Sequence, residues 1–210
     1  MSAAGKPRVL DGAATSDVVT EPDLSWTVPW LLADRIARDP DSTIIERKAA
    51  LGRSWVDVTA RNFGEDVARV ASGLVGMGLE PGQCVSIMAH TSYEWTLLDM
   101  AIARAALVSV PIYETDSASQ VQWILQDADV RLVITESAAL AELVRGAAAA
   151  RAAAHPDAAE VRVLSLDRDA ITTISAEGRA VSRADLDERC DALRADDVFS
   201  IIYTSGTTDN

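Results

Sequence analysis

Residues 83–113 read QCVSIMAHTSYEWTLLDMAIARAALVSVPIY, and this stretch decides the fold. Two short apolar runs, 84–89 and 108–113, have the length and composition of buried strands. Between them, residues 92–106 carry apolar side chains at helical spacing, with three expected to point inward: Trp95, Leu98 and Ile102. A strand, a helix and a second strand of these lengths predict one unit of a parallel sheet.

The same alternation continues on both sides of this unit. Downstream, helices are predicted over 117–126, 138–153 and 183–193, and strands over 131–135, 161–166 and 198–203. Upstream, the pattern predicts a helix over 26–39, a hairpin of strands 43–47 and 55–58, and a helix that begins after Thr59. The sequence therefore predicts an α/β fold, with a mostly parallel sheet and helices on both of its faces.

The composition is that of a soluble globular protein. The chain has 210 residues, 49% of them hydrophobic and 24% charged. Its net charge of −13 repels phosphate backbones, so nucleic acid is not an expected partner. No apolar run approaches the roughly 20 residues of a membrane span, and residues 1–25 lack a signal-peptide core. We expect a cytoplasmic protein that can touch a membrane only peripherally.

Few side chains suit metal or redox chemistry. We expect neither a four-ligand zinc site nor a disulfide framework from two cysteines, Cys84 and Cys190, and two histidines, His90 and His155. His90 follows a predicted strand and is interpreted as a structural hydrogen-bonding residue rather than a general base. The five tryptophans are expected in the core or at interfaces. We assign no metal ligand and no catalytic residue.

The one motif that indicates chemistry follows the last predicted strand and reads YTSGTT, residues 203–208. Gly206 allows the backbone to approach a ligand closely, and the hydroxyls around it add donors to successive backbone N–H groups. This arrangement suits the phosphates of a nucleotide, although no Gly-Lys-Ser/Thr of a Walker A loop follows. The alternative is an ordinary Ser/Thr-rich surface turn, and spacing alone gives the two interpretations similar weight.

The segment IIYTSGTT, residues 201–208, resembles the phosphate-loop signature of the adenylate-forming (AMP-binding) enzymes. Three further segments support this resemblance in the same chain order: GLVGMGLEPG at 73–82, SYEW with LDMA at 92–101, and VPIYET at 110–115. The last of these is most similar to long-chain fatty-acyl-CoA ligases. The resemblance covers about residues 26–208, and the order of motifs over that length is more specific than any single motif.

The resemblance implies a reaction in two steps. A carboxylate, such as a fatty acid, attacks the α-phosphate of ATP with Mg²⁺, which gives an acyl-adenylate and pyrophosphate. The thiol of coenzyme A then displaces AMP to form a thioester. By the same resemblance, the residues that bind the β- and γ-phosphates are Thr204, Ser205, Gly206, Thr207 and Thr208. Positioning and electrostatic stabilisation are most of what such a transfer needs from a protein.

The sequence departs from the family pattern directly after this loop. The family continues with Gly and then x-Pro-Lys-Gly, whereas this chain has Asp209-Asn210. Asp209 places a negative charge near the expected phosphates, and no lysine follows Lys48. We therefore expect residues 1–25 to be a flexible leader and 26–210 a partial AMP-binding domain, truncated within the phosphate loop and inactive without the catalytic C-terminal parts.

Two alternatives remain at this point. The parent protein could be another adenylate-forming ligase, such as an acyl-AMP ligase or an adenylation domain. The chain could also be a non-catalytic α/β module that binds an acyl chain, a nucleotide or a partner. In either case, the apolar run 198–203 is expected at an exposed edge of the sheet, where it favours pairing with other chains.

Overall fold

The computed structural model describes residues 8–10, 13–15, 23, 25–48 and 54–204. Near the amino terminus, β1 (Arg8–Leu10) pairs antiparallel with β2 (Ala13–Thr15). The four elements predicted next follow in order: α1 (Val28–Arg38), β3 (Thr43–Lys48), β4 (Trp55–Thr59) and α2 (Ala60–Gly76). Strands β3 and β4 pair antiparallel, which confirms the predicted hairpin, and its turn lies outside the described residues.

The rest of the chain forms the predicted parallel sheet. Its strands are β5 (Cys84–Met88), β6 (Val108–Pro111), β7 (Val130–Thr135) and β8 (Arg162–Ser165). The helices are α3 (Tyr93–Arg104), α4 (Ala118–Asp127), α5 (Ala138–Ala154), α6 (Ala170–Glu177) and α7 (Arg183–Asp191). The strands lie in the order β6-β5-β7-β8, and every neighbouring pair is parallel.

Side chains that alternate along the strands build a core on each face of the sheet. From β5, Val85 and Ile87 pack with the apolar stripe of α2 and with α3, whereas Cys84 and Met88 pack with α4 and α5. Burial on both faces explains why these strands read as continuous apolar runs. The predicted α/β architecture is confirmed. Among the described helices, none is long and apolar enough to cross a bilayer.

Side-chain caps fix where the predicted helices begin. Thr59 Oγ1 accepts from the N–H of Asn62 at 3.2 Å, and Ser92 Oγ accepts from the N–H of Trp95 at 3.1 Å. Ser117 and Gln120 form a capping box, since each side chain bonds the backbone N–H of the other residue. These bonds satisfy N–H groups that a first helical turn leaves unpaired.

Helix α6 was not expected from the sequence. It has only eight residues. Its N-cap residue, Asp169, has a left-handed backbone conformation, and its side chain makes no capping hydrogen bond. Its position depends on α2, where Gly73 and Gly76 let the two backbones meet, because a Cβ at either glycine would overlap a carbonyl of α6. Tertiary contact of this kind leaves little trace in a local pattern.

The prediction of a final strand at 198–203 is wrong. Within the described chain, this segment makes one isolated parallel bridge, between Ser200 and Ser109 of β6. It lies on the outer side of β6, at the end of the sheet, and a ladder of paired residues does not form there. Val198 and Ile202 are 62% and 66% exposed, so the expected exposed apolar edge is confirmed.

Candidate functional site

The carboxyl ends of the four parallel strands meet at one edge of the sheet. The chain leaves β5 for β6 on one side and later returns to β7 on the other side of β5. The switch point of the topology therefore lies between β5 and β7, where open α/β sheets usually bind ligands. His90 follows β5 at this edge, Glu114 follows β6, and Glu136 follows β7.

His90 bridges the ends of these strands. Its Nδ1 lies 2.6 Å from Glu136 Oε2, and its Nε2 lies 3.0 Å from Glu114 Oε1. The backbone N–H of His90 also donates to Glu136 Oε2 at 3.0 Å. The Nδ1 contact is a hydrogen bond, and the Nε2 contact lies within ion-pair distance. Two nearby carboxylates favour the protonated, positively charged imidazolium over the neutral ring. The interpretation of His90 as a hydrogen-bonding residue is confirmed.

Within this cluster, His90 and Glu136 shift each other's pKa values towards the ionised forms. The hydrogen bond to Glu136 and the nearby Glu114 carboxylate raise the pKa of His90 above its ordinary value. The hydrogen bond from the His90 backbone, followed by that from its ring, lowers the pKa of Glu136. The pairing of His90 with the two glutamates was not predicted. Both glutamates directly follow predicted strands, and this position is the feature of the sequence that could have indicated the pairing.

A cavity of about 400 Å³ adjoins His90 and Glu136. Its polar lining is acidic, since Glu94 and Asp169 also border it, and its apolar wall includes Leu166 and Ile171. Over the described ranges, no group of three or more His, Cys, Asp or Glu side chains is arranged to hold a metal ion. His90, Glu114 and Glu136 connect the ends of three strands, and we call this group the His90 latch.

The predicted phosphate-binding residues begin where the structural description ends. Thr204 is the last residue described and is exposed, whereas Ser205, Gly206, Thr207 and Thr208 lie outside the described residues. Their role stays a prediction. The chain that leads into them is well placed, because it runs parallel to β6 and so points towards the carboxyl edge of the sheet.

Ser109 of β6 holds this leading segment through both of its backbone groups. The Ser109 N–H donates to the carbonyl of Phe199 at 3.0 Å, and the Ser109 carbonyl accepts from the N–H of Ile201 at 2.9 Å. The Ser200 hydroxyl donates to the same carbonyl at 3.0 Å. Further along the segment, the Tyr203 hydroxyl donates to Asp127 Oδ2 at 2.6 Å. The segment is thus fixed to both β6 and α4.

Comparison with known proteins gives a consistent result. A family model described as AMP-binding enzyme matches residues 32–209. The long-chain-fatty-acid–CoA ligase FadD15 of Mycobacterium bovis is 37% identical over 171 residues, and FadD15 of Mycobacterium tuberculosis is 36% identical over the same length. Each match covers 81% of this chain and 28% of the relative, so the chain spans less than a third of these relatives.

Solved structures share the fold. The inhibitor-bound N-terminal domain of FACL13 from Mycobacterium tuberculosis has a TM-score of 0.64 and 25% identity, over 86% of this chain and 41% of that one. Another structure, a fatty acyl CoA synthetase of Mycobacterium tuberculosis, also has a TM-score of 0.64, with 24% identity over 85% of this chain and 32% of its own. Since the family model covers 178 of the 210 residues (209 − 32 + 1), the chain belongs to the AMP-binding enzyme family.

Proposed function

We propose that this chain is the N-terminal part of an ATP-dependent, AMP-forming ligase that joins long-chain fatty acids to coenzyme A. The observation that carries the proposal is the course of residues 199–203, which run parallel to β6 and so approach the carboxyl edge of the sheet at the start of the YTSGTT motif. The activity in the name of the FadD15 relatives, long-chain-fatty-acid–CoA ligase, supports the choice of a long-chain acid.

In this proposal, the loop holds the leaving group of the first step. The fatty-acid carboxylate oxygen bonds to the α-phosphorus of ATP, the bond to the β-phosphate oxygen breaks, and pyrophosphate leaves. Thr204, Ser205, Gly206, Thr207 and Thr208 bind the β- and γ-phosphates, with Mg²⁺ entering as the MgATP complex. The coenzyme A thiol then attacks the acyl carbonyl and AMP leaves.

We also propose that the chain does not complete this reaction alone. It spans 28% of the FadD15 relatives, and no lysine follows Lys48 to neutralise the phosphates. Asp209 adds a negative charge beside the loop. At about 4 Å, one such charge opposes one phosphate charge by about 1 kcal/mol in bulk water, and by more where water is excluded.

The deciding experiment starts with the gene. Its sequence beyond codon 210 is translated in all three frames, and a frame that resumes with a Gly-x-Pro-Lys-Gly-like loop is joined to this chain. We expect the restored protein to catalyse ATP–pyrophosphate exchange with palmitate and to form palmitoyl-CoA, and this chain alone to do neither. Ser205→Ala and Thr207→Ala should slow the exchange, whereas Thr173→Ala, at an exposed threonine of α6, should not.

Other outcomes select the alternatives. Exchange without thioester formation would identify an acyl-AMP ligase or an adenylation domain. If no frame resumes the family pattern and this chain still binds ATP tightly, the non-catalytic binding module is the better description. Substantial exchange by the 210-residue chain alone would contradict the proposal that it needs further parts.

A further inference from the structure

Tyr203, the residue directly before the proposed phosphate-binding residues, is held by two side chains of α4. Its ring meets the ring of Trp123 edge to face, with centroids 5.0 Å apart and an interplanar angle of 76°. Its hydroxyl donates to Asp127 Oδ2 at 2.6 Å. Burial and the Asp127 carboxylate raise the pKa of the Tyr203 hydroxyl, which therefore stays protonated and able to donate.

The two α4 residues form a single rigid support. Trp123 and Asp127 lie four positions apart on a helix, so their side chains share one face. The helix itself is fixed by the Ser117 capping box and by three buried apolar residues, Val121, Ile124 and Leu125. A support of this kind can define the position of a residue that contacts it.

The position of Asp127 in α4 is unfavourable for the stability of the helix itself. It is the last residue of α4, where its negative charge meets the negative end of the helix dipole. A hydrogen bond from a neutral hydroxyl to a carboxylate is among the stronger polar contacts in proteins, and it offsets this cost. The contact with Tyr203 therefore gives a reason for an acidic residue at a position where helix stability disfavours one.

We propose that Trp123 and Asp127, the Tyr203 clamp, are positioning residues that hold Tyr203 and so fix the point from which the phosphate loop starts. The backbone bonds of Ser109 fix Phe199 and Ile201, and the clamp extends this control to the last residue before the loop. The inference rests on the proposed function of residues 204–208. Neither clamp residue touches the nucleotide in this proposal.

Amide hydrogen exchange of the 210-residue chain tests the clamp without any ligand. We expect Tyr203→Phe and Asp127→Ala to speed exchange at residues 201–204 by about tenfold, the effect of losing a hydrogen bond to a charged group. Asp127→Asn keeps an acceptor and should recover part of the protection. Gln122→Ala, on the same helix, is the matched control and should leave exchange unchanged.

A second measurement follows the nucleotide and uses the restored protein, because the 210-residue chain is proposed to lack parts that the reaction needs. The indole N–H resonance of Trp123, identified by its loss in Trp123→Phe, should shift when MgATP is added to wild type and should not shift in Tyr203→Ala. MgATP should also bind Tyr203→Phe about tenfold more weakly than wild type, while the melting temperature of the variant's parallel-sheet core stays within a few degrees of wild type.

The two measurements separate the failure of the clamp from the failure of the proposed function. Unchanged exchange at 201–204 in Tyr203→Phe and in both Asp127 variants would overturn the clamp, whatever the nucleotide does. Faster exchange with equal MgATP affinity in wild type and Tyr203→Phe would overturn the positioning role. Faster exchange in the variants, with no MgATP binding by the restored protein, would support the clamp and refute phosphate binding by this loop.

Discussion

His90 joins the ends of three parallel strands through one imidazolium ring. Its Nδ1 hydrogen-bonds Glu136 and its Nε2 lies within ion-pair distance of Glu114, so the latch is strongest while His90 is protonated on both ring nitrogens. Two other carboxylates, Glu94 and Asp169, border the adjoining cavity and add to the negative potential around the ring. Asp167, which follows β8, is held separately by the Ser165 hydroxyl and by the N–H of Ala138.

This geometry predicts a stability that depends on pH. The pKa of His90 is raised on folding, so its contribution is complete below the unfolded value of about 6.5 and is lost as pH rises through the folded value. The lowered pKa of Glu136 removes the contribution again as pH falls below about 4.3. Wild type should therefore have a higher melting temperature than His90→Gln near pH 5.5, and this difference should be smaller near pH 9, where the neutral ring keeps at most its hydrogen bond to Glu136. Calorimetry of both proteins, with His155→Gln as control, measures this; a difference as large at pH 9 as at pH 5.5 would contradict the imidazolium latch.

Helices α2 and α6 show how a close backbone contact decides the position of an element. A Cβ at Gly73 would overlap the carbonyl of Ile174, and Gly178 in turn lies against the backbone of Ser72 and Gly73. Gly73→Ala should therefore lower the free energy of unfolding by about 1–3 kcal/mol, the usual cost of overpacking. Urea denaturation measures the change.

Gly146 provides a matched control for this substitution. It also lies inside a helix, α5, but a Cβ there would meet no atom within 4 Å among the described residues. Gly146→Ala should raise the free energy of unfolding by about 0.5–1 kcal/mol, because alanine loses less backbone entropy in a helix than glycine. Equal destabilisation by the two substitutions would show that helix α6 is not held through Gly73.

Local signals explain which elements the sequence could predict. Thr59, Ser92 and Ser117 cap their own helices, so α2, α3 and α4 were recognisable from a few neighbouring residues. Residues 198–203 were not, because strand formation depends on a partner elsewhere in the chain. The same limit applies to the site: His90 was visible, but its two glutamates come from different strand ends.

Residue type alone also left the surroundings of several side chains open. Tryptophans were expected in the core or at interfaces, and Trp26, Trp55 and Trp123, each at least half exposed, lie outside the core. Arg151, within an alanine-rich helix, is buried and bonds Gln126, Asp129 and the carbonyl of Ala159. Size and charge give only average burial, and the neighbours that decide each case are distant in sequence.

Two effects with opposite consequences act on association between copies of the chain at the outer edge of the sheet. Val198, Phe199 and Ile202 expose apolar surface beside β6, which favours association between copies of the chain. The net charge of −13 repels those copies. Salt shortens the reach of this repulsion from about 30 Å at 0.01 M to about 8 Å at 0.15 M and leaves the apolar contact intact.

The chain should therefore be monomeric at low ionic strength and should associate as salt increases. The double variant Val198→Lys with Ile202→Lys should stay monomeric at 0.15 M salt, as measured by sedimentation velocity over a range of protein concentrations. Leu31→Lys with Val56→Lys changes the net charge equally on exposed apolar residues of α1 and β4, and this control should still associate. If both double variants become monomeric, the added charge and not the sheet edge controls association, because only the edge distinguishes the two proteins.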